Sequence, residues 1–403
     1  MKILMLTPYL PFPPSSGGQV RSYNLIKNLA QKHEITLFSL IKKEEEKKYV
    51  LELEKYCKKV KVFKRSPRPW TLRNILKTGF SSYPFLVIRN SSDEEKEALI
   101  NELNGNLFDL IHAETFYVMP HLPETKTPIL LVDQTIEFQV YQHFVEKSKL
   151  FFLKPLLYLD VLKIRYWELK FWKKANKVVA VSEADKQKML YLEKNLDVGV
   201  VPNGAGEDLM KIGNFSKNIK EPVILFQANF SWLQNIEAAA NLAKKVFPLI
   251  KKTIPQAKCR IVGQGAREKL KKLSSEDVQI VDLETDDTEG VMKAYRQASV
   301  FVAPLEGPGG TRLKILGAMA ASVPVITTTV GIEGIDAHNN KEVLIADSWS
   351  LMAKNSIKLI RNPDFYRRMT SSARKLIEDK YSYQKISLIL DKFYREVAGG
   401  RKN

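Results

Sequence analysis

The sequence predicts an α/β protein made of two doubly wound domains. Three observations carry that expectation. Short apolar runs alternate with longer amphipathic ones from the first residues onward, the pattern of βαβ units around a parallel sheet. The alternation stops in a polar stretch, 203–221, and starts again at Pro222. The 403 residues suffice for two or three domains, each able to bury its own core without disulfides or metals.

In chain order, residues 2–6 (KILML) read as a buried strand. The loop TPYLPFPPSSGGQ and a helix from about Gln19 to Gln31 follow, with Gly17 and Gly18 just ahead of the helix. A strand at 35–40, a charged helix at 43–57 and a strand at 59–63 continue the alternation. Two more strands, 109–113 and 129–132, carry His112, Glu114 and Asp133 at or just past their ends, with Glu137 in the following segment. Ligands of open α/β sheets bind beyond the carboxyl ends of strands, which makes His112, Asp133 and Glu137 candidate catalytic residues. The plainer alternatives are a satisfied neutral histidine and two helix-capping carboxylates.

Residues 148–175 interleave aromatics and leucines with lysines and arginines at helical spacing. Such a helix either packs on the sheet with its cations in water or lies on an anionic bilayer. Strands at 177–181 and 198–201 close the first domain. The second begins with VILFQA, a helix from about Leu233 to Lys252, the strand KCRIVG and Gly263–Gln264–Gly265. Helices at 349–361 and 364–378 and a last helix, Tyr383 to Val397, end the chain.

The strongest local signal is SVFVAPLEGPGGTRLKILGAMAASVPVIT, from residue 299. The strand Val300–Ala303, a glycine-rich turn holding Gly309 and Gly310, and a helix from about Thr311 make an anion site. The first N–H groups of a helix lack partners, and its dipole places roughly half a positive charge there. Arg312 and Lys314 sit in that first turn, where cations oppose the dipole unless an anion joins them. The simpler reading is a tight turn with two solvated cations.

The 63 basic and 45 acidic residues give a net charge of 63 − 45 = +18, which suits phosphorylated substrates, an anionic membrane or nucleic acid. No nucleic-acid-binding motif accompanies it. Two distant cysteines imply a reducing, cytoplasmic setting. No membrane span or signal peptide is read, and the five histidines show no zinc-ligand spacing.

The words PGGTRLKILGAMA resemble the donor-site motif of retaining family 4 (group 1) glycosyltransferases, which have the GT-B fold. The words around Pro13, Pro14, Ser16, Gly17, Gly18, Arg21, Tyr23 and Asn24, VVAVSEAD, VVPNG and FQANFSWLQN are similar to that family's too. The resemblance implies two Rossmann-like domains facing across a cleft: 1–204 with helix 381–398 on the acceptor side, and 205–380 for the donor. It implies transfer of a sugar from a nucleotide diphosphate sugar to a saccharide or lipid-linked acceptor hydroxyl, with no metal and no other cofactor. Gly309, Gly310, Thr311, Arg312 and Lys314 would hold the diphosphate. Gly17, Gly18 and Arg21 would form a cleft loop, and Gly263, Asn229 and Trp232 would meet the nucleotide. Lipid-linked acceptors would bring 148–175 to the inner membrane face. Four positions depart from the pattern: Ala228 and Gly206 replace a glycine and an aspartate, Gln134 a histidine, and Gly317 the glutamate that holds the ribose. A transferase-like protein that binds a sugar nucleotide or a partner with little turnover fits the same sequence.

Overall fold

The computed structural model describes residues 1–147, 151–212, 221–307 and 311–400. The chain divides into two compact units. One comprises Met1–Pro202 and the C-terminal segment from Ser387; the other is Asn203–Ile386.

The first unit holds seven strands: β1 (Lys2–Thr7), β2 (Glu34–Ile41), β3 (Lys59–Lys64), β4 (Leu110–Glu114), β5 (Ile129–Asp133), β6 (Lys177–Ala180) and β7 (Val198–Val200). They pair in parallel in the order β3-β2-β1-β4-β5-β6-β7. Central β4 and β5 are buried throughout, which is why they read as unbroken apolar runs rather than alternating ones. Leu4, Leu6, Ile111, Leu131 and Val178 share a core with Ile164, Phe171 and Trp172 from the Lys154–Lys174 helix.

The second unit holds β8 (Val223–Gln227), β9 (Lys258–Gly263), β10 (Val278–Asp282), β11 (Val300–Ala303), β12 (Val325–Thr327) and β13 (Leu344–Ile345). Their order is β10-β9-β8-β11-β12-β13, again with parallel pairs. Both sheets are therefore doubly wound, as the alternation predicts. In each, the strand order reverses once, between β1 and β4 and between β8 and β11. Loops on either side of such a point diverge and leave a crevice past the carboxyl ends.

Several boundaries differ from the sequence reading. The segment 43–57 forms a 3₁₀ turn, Glu44–Tyr49, and a short α-helix, Val50–Leu53, rather than one helix. The stretch 203–221 is not all linker. Ala205 and Ile212 are buried in the second unit's core, and Glu207–Met210 is helical. The helix expected from Thr311 starts at Leu313, because Arg312 has non-helical backbone angles of φ −81° and ψ 89° and serves as its N-cap. Both cysteines are free and buried.

Candidate functional site

In the first unit, the crevice past β1 and β4 is built from polar side chains that the sequence separates widely. Gly17 opens the Gly17–Leu29 helix. Gly18 follows because a side chain there would overlap the Tyr9 hydroxyl. That hydroxyl accepts a hydrogen bond from Gln134 Nε2 (3.1 Å), which also donates to Glu114 Oε2 (2.8 Å). Arg21 is fully buried; its Nη1 donates to the Pro202 carbonyl (2.8 Å), and its Nε lies 4.0 Å from Glu114 Oε1. His112, also fully buried, spends one ring nitrogen on Glu114 Oε1 (3.2 Å) and the other on the Tyr394 hydroxyl. Burial raises the Glu114 pKa, but hydrogen bonding from His112, then the Arg21 charge and Gln134, bring it below the usual carboxylate value. Thr115 follows with φ +77°, a strained conformation next to the crevice.

Three more carboxyls lie beside this network. Asp133 is fully buried and accepts from the Phe116 N–H (3.0 Å) and the Trp172 indole N–H. Burial raises its pKa despite those bonds. Glu168, from the Lys154–Lys174 helix, caps the Glu137–Lys147 helix by accepting from the Glu137 and Phe138 N–H groups at 2.8 and 3.2 Å. Burial, and then repulsion with the neighbouring Asp133 carboxyl, raise its pKa too. Glu137 is only partly buried. Burial pushes its carboxyl up to about 7, opposed by the Arg89 guanidinium.

Of the three catalytic candidates, then, Glu137 alone keeps solvent contact. His112 and Asp133 are enclosed, with their polar atoms engaged. Sequence reasoning missed Glu168, Tyr394 and Arg89. A glutamate amid Trp167, Phe171 and Trp172 was the available hint for Glu168, since burying an unpaired carboxyl is costly.

In the second unit, the crevice past β8 and β11 gathers the other candidates. The loop after β8 and the turn after β9 are stitched together. Ala228 N–H donates to the Val262 carbonyl (3.0 Å), Phe230 N–H to the Gln264 carbonyl (2.9 Å), and Asn229 Nδ2 to Gln264 Oε1 (2.7 Å). Gly263 has φ +148°, and a side chain there would collide with the Ala228 carbonyl oxygen, so only glycine permits this close approach. Asn235 links the loop to the cations: its Nδ2 donates to the Asn229 carbonyl (2.6 Å), and its Oδ1 accepts from Lys314 Nζ (2.5 Å). Trp232 is 48% exposed beside them.

Arg312 is buried, its Nη2 donating to the Gly307 carbonyl at 2.6 Å. Lys314 is half-buried and lies 5.7 Å from the centre of the Phe226 ring. Burial, and then the Arg312 charge, lower its pKa from 10.5 to about 7. Two cations thus crowd the start of the Leu313–Ala320 helix, where the dipole opposes both. Thr311 is buried next to them; Gly309 and Gly310 lie outside the described residues. One turn on, Gly317 leaves no spare room. A Cβ there would come within 3.0 Å of Leu209 Cδ1 and 3.2 Å of the Tyr295 hydroxyl. That hydroxyl donates to the Lys314 carbonyl (3.2 Å). Among the described residues, no group of three or more His, Cys, Asp or Glu side chains is placed to hold a metal ion.

Comparison with known proteins adds to this geometry. Residues 221–362 match the family described as glycosyl transferases group 1. A 44.6 kDa protein of the cps region of Klebsiella pneumoniae is 24% identical over 399 residues, covering 96% of this chain and 97% of that one. Sucrose-phosphate synthase from Thermosynechococcus elongatus superposes with a TM-score of 0.70 at 15% identity, over 99% of this chain and 100% of its own. The Anabaena protein HepE, crystallised with UDP and glucose, gives 0.66 at 14% identity, over 98% and 100%. These structural likenesses show a shared GT-B fold.

Proposed function

We propose that this chain, whose residues 221–362 match the family of group 1 glycosyl transferases, is a glycosyltransferase that moves a sugar from a nucleotide diphosphate sugar to the hydroxyl of a saccharide or lipid-linked acceptor. In this reading the reaction retains the donor's anomeric configuration and needs no metal. The difficult event is departure of the diphosphate from an oxocarbenium-like carbon. Fixed dipoles and cations stabilise that leaving group without reorganising as charge develops.

One observation carries the reading: Arg312 and Lys314 stand together at a helix start, where burial, and then the Arg312 charge, lower the Lys314 pKa to about 7. A diphosphate would supply the counter-charge, with Thr311 and the backbone of Gly309 and Gly310 completing the cradle. Trp232 and Asn229 would meet the nucleotide, over a turn whose close approach depends on Gly263. On the acceptor side, Glu137 titrates in the range a proton acceptor needs. His112 and Asp133 would act through position, with Arg21 and the Gly17–Gly18 loop shaping the crevice. The HepE complex with UDP and glucose supports a UDP-sugar as one donor to try.

A second reading, sugar-nucleotide binding with little turnover, draws on Gly317. No carboxylate stands there to hold a ribose, and Leu209 and Tyr295 fill the space around it. A thermal-shift panel of UDP-, GDP-, ADP- and dTDP-sugars tests donor binding. At a hundredfold excess over Kd, a true donor adds about 2.7 kcal/mol, or roughly 5–10 °C of Tm for a domain of this size. A flat response across the panel would overturn both readings. Binding without sugar release or transfer, with saccharide and lipid-linked acceptors both supplied, would select the second.

A further inference from the structure

The Leu72–Phe80 helix is built inside out. Its buried residue is polar: Asn74, whose Nδ2 donates to Ser66 Oγ (2.9 Å) and the Pro69 carbonyl (2.8 Å). Its apolar side chains face solvent instead. Phe80 is 93% exposed and Leu72 72%, with Ile75, Leu76 and the preceding Trp70 exposed as well. A surface helix ordinarily turns its apolar stripe to the core, so this stripe is shaped for something other than water.

The Lys154–Lys174 helix repeats the anomaly on a larger scale. Val161, Ile164, Trp167, Phe171 and Trp172 face the core. Leu156, Leu159, Leu162 and Tyr166 recur three and four residues apart and are exposed, a second apolar stripe on the same helix. The two helices are tied together. Lys163 Nζ donates to the carbonyls of Thr78 and Ser81 (2.7 Å each), and Trp167 Nε1 to that of Ser82 (2.8 Å).

Charge identifies the occupant. Residues 55–92 contain ten lysines and arginines and no aspartate or glutamate. The two acids of the longer helix are turned inward: Asp160 accepts from the Phe85 N–H (2.9 Å), and Glu168 caps the neighbouring helix. Arg73, Lys77, Arg165 and Lys170 are exposed among the apolar side chains, while Lys173 pairs with Glu193 (2.6 Å). A second copy of this chain would bring like charges together. A bilayer of anionic lipid accommodates both features, with acyl chains for the leucines and aromatics and headgroups for the cations.

We propose that the Leu72–Phe80 and Lys154–Lys174 helices form a docking face for an anionic phospholipid surface, on which the protein rests without spanning it. No helix among the described residues is long and apolar enough to cross a membrane. The docking is independent of the sugar chemistry. Cosedimentation of the full chain with vesicles, either pure phosphatidylcholine or with about a third phosphatidylglycerol, tests it. We expect binding to the mixed vesicles, much weaker binding to the neutral ones, and loss at high salt. The pairs Leu76→Ser/Phe80→Ser and Leu156→Ser/Leu159→Ser should each lower partitioning by roughly tenfold or more, with melting temperature and nucleotide response unchanged. Wild-type protein left in the supernatant, or variants that pellet like wild type, would overturn the proposal. So would a dimer in sedimentation equilibrium that Leu76→Ser/Phe80→Ser dissociates while vesicle binding is absent.

Discussion

Lys314 is the residue whose behaviour follows most directly from its surroundings. Its folded pKa, near 7, lies below the ordinary 10.5. Between those values the unfolded chain binds the extra proton, so without ligand stability rises with pH across that window. An anion beside the ammonium restores the proton. Binding of UDP or GDP should therefore take up a proton near pH 8, and affinity should fall by up to about tenfold per unit as pH rises above 7. Calorimetry in two buffers of different ionisation heat measures this directly. A pH-independent affinity, unchanged in Lys314→Met, would remove Lys314 from the site. Glu137 has the opposite sign. Its folded pKa, about 7, exceeds the ordinary 4.5, so its ionisation erodes stability as pH rises from 4.5 to 7. Glu137→Gln should raise stability by about 1–3 kcal/mol at pH 8 and leave it unchanged at pH 4, while transfer falls roughly a hundredfold or more. Chemical denaturation at the two pH values, with a transfer assay at pH 8, checks both arms. At this scale Arg312 and Lys314 were legible because cations at a helix start break a local rule. Glu168 and Tyr394 were not, because their roles depend on partners that only folding brings near, such as His112, which is 282 residues from Tyr394.

At the scale of elements, glycines report where backbones must approach. Gly263→Ala should cost more than about 2 kcal/mol, since both its φ and the Ala228 carbonyl exclude a side chain. Gly317 is a different case. Alanine would gain about 0.5–1 kcal/mol of helix propensity, but Leu209 and the hydrogen-bonded Tyr295 must then yield. Gly317→Glu, which places a carboxylate where the resemblance implies one, should therefore destabilise the protein by about 1–3 kcal/mol. It should not tighten nucleotide binding unless Tyr295 is also reduced in size; urea titration with and without UDP decides. Strands were well marked where both faces are buried, as at Val300–Ala303. The edge strand β10, with only Val278 buried, carried no comparable apolar signal. The Leu72–Phe80 helix was missed for a related reason: its apolar pattern serves a face that the chain itself does not cover.

At the scale of the whole molecule, two doubly wound sheets each offer one reversal of strand order, and the candidate residues collect at those two places. The alternation of strand and helix made both sheets readable, because parallel strands need a crossover between each pair. The order of strands was not readable, since alternation leaves it open. A basic balance of +18 fits both an anionic donor and an anionic surface, and only the placement of the charges separates the two. The central claim is that the Arg312–Lys314 pair holds a diphosphate. A crystal structure of the protein grown with UDP or GDP tests it most directly. We expect phosphoryl oxygens about 3 Å from Lys314 Nζ and from backbone N–H groups beside Thr311. A nucleotide ordered elsewhere, with Lys314 still bonded only to Asn235, would contradict it.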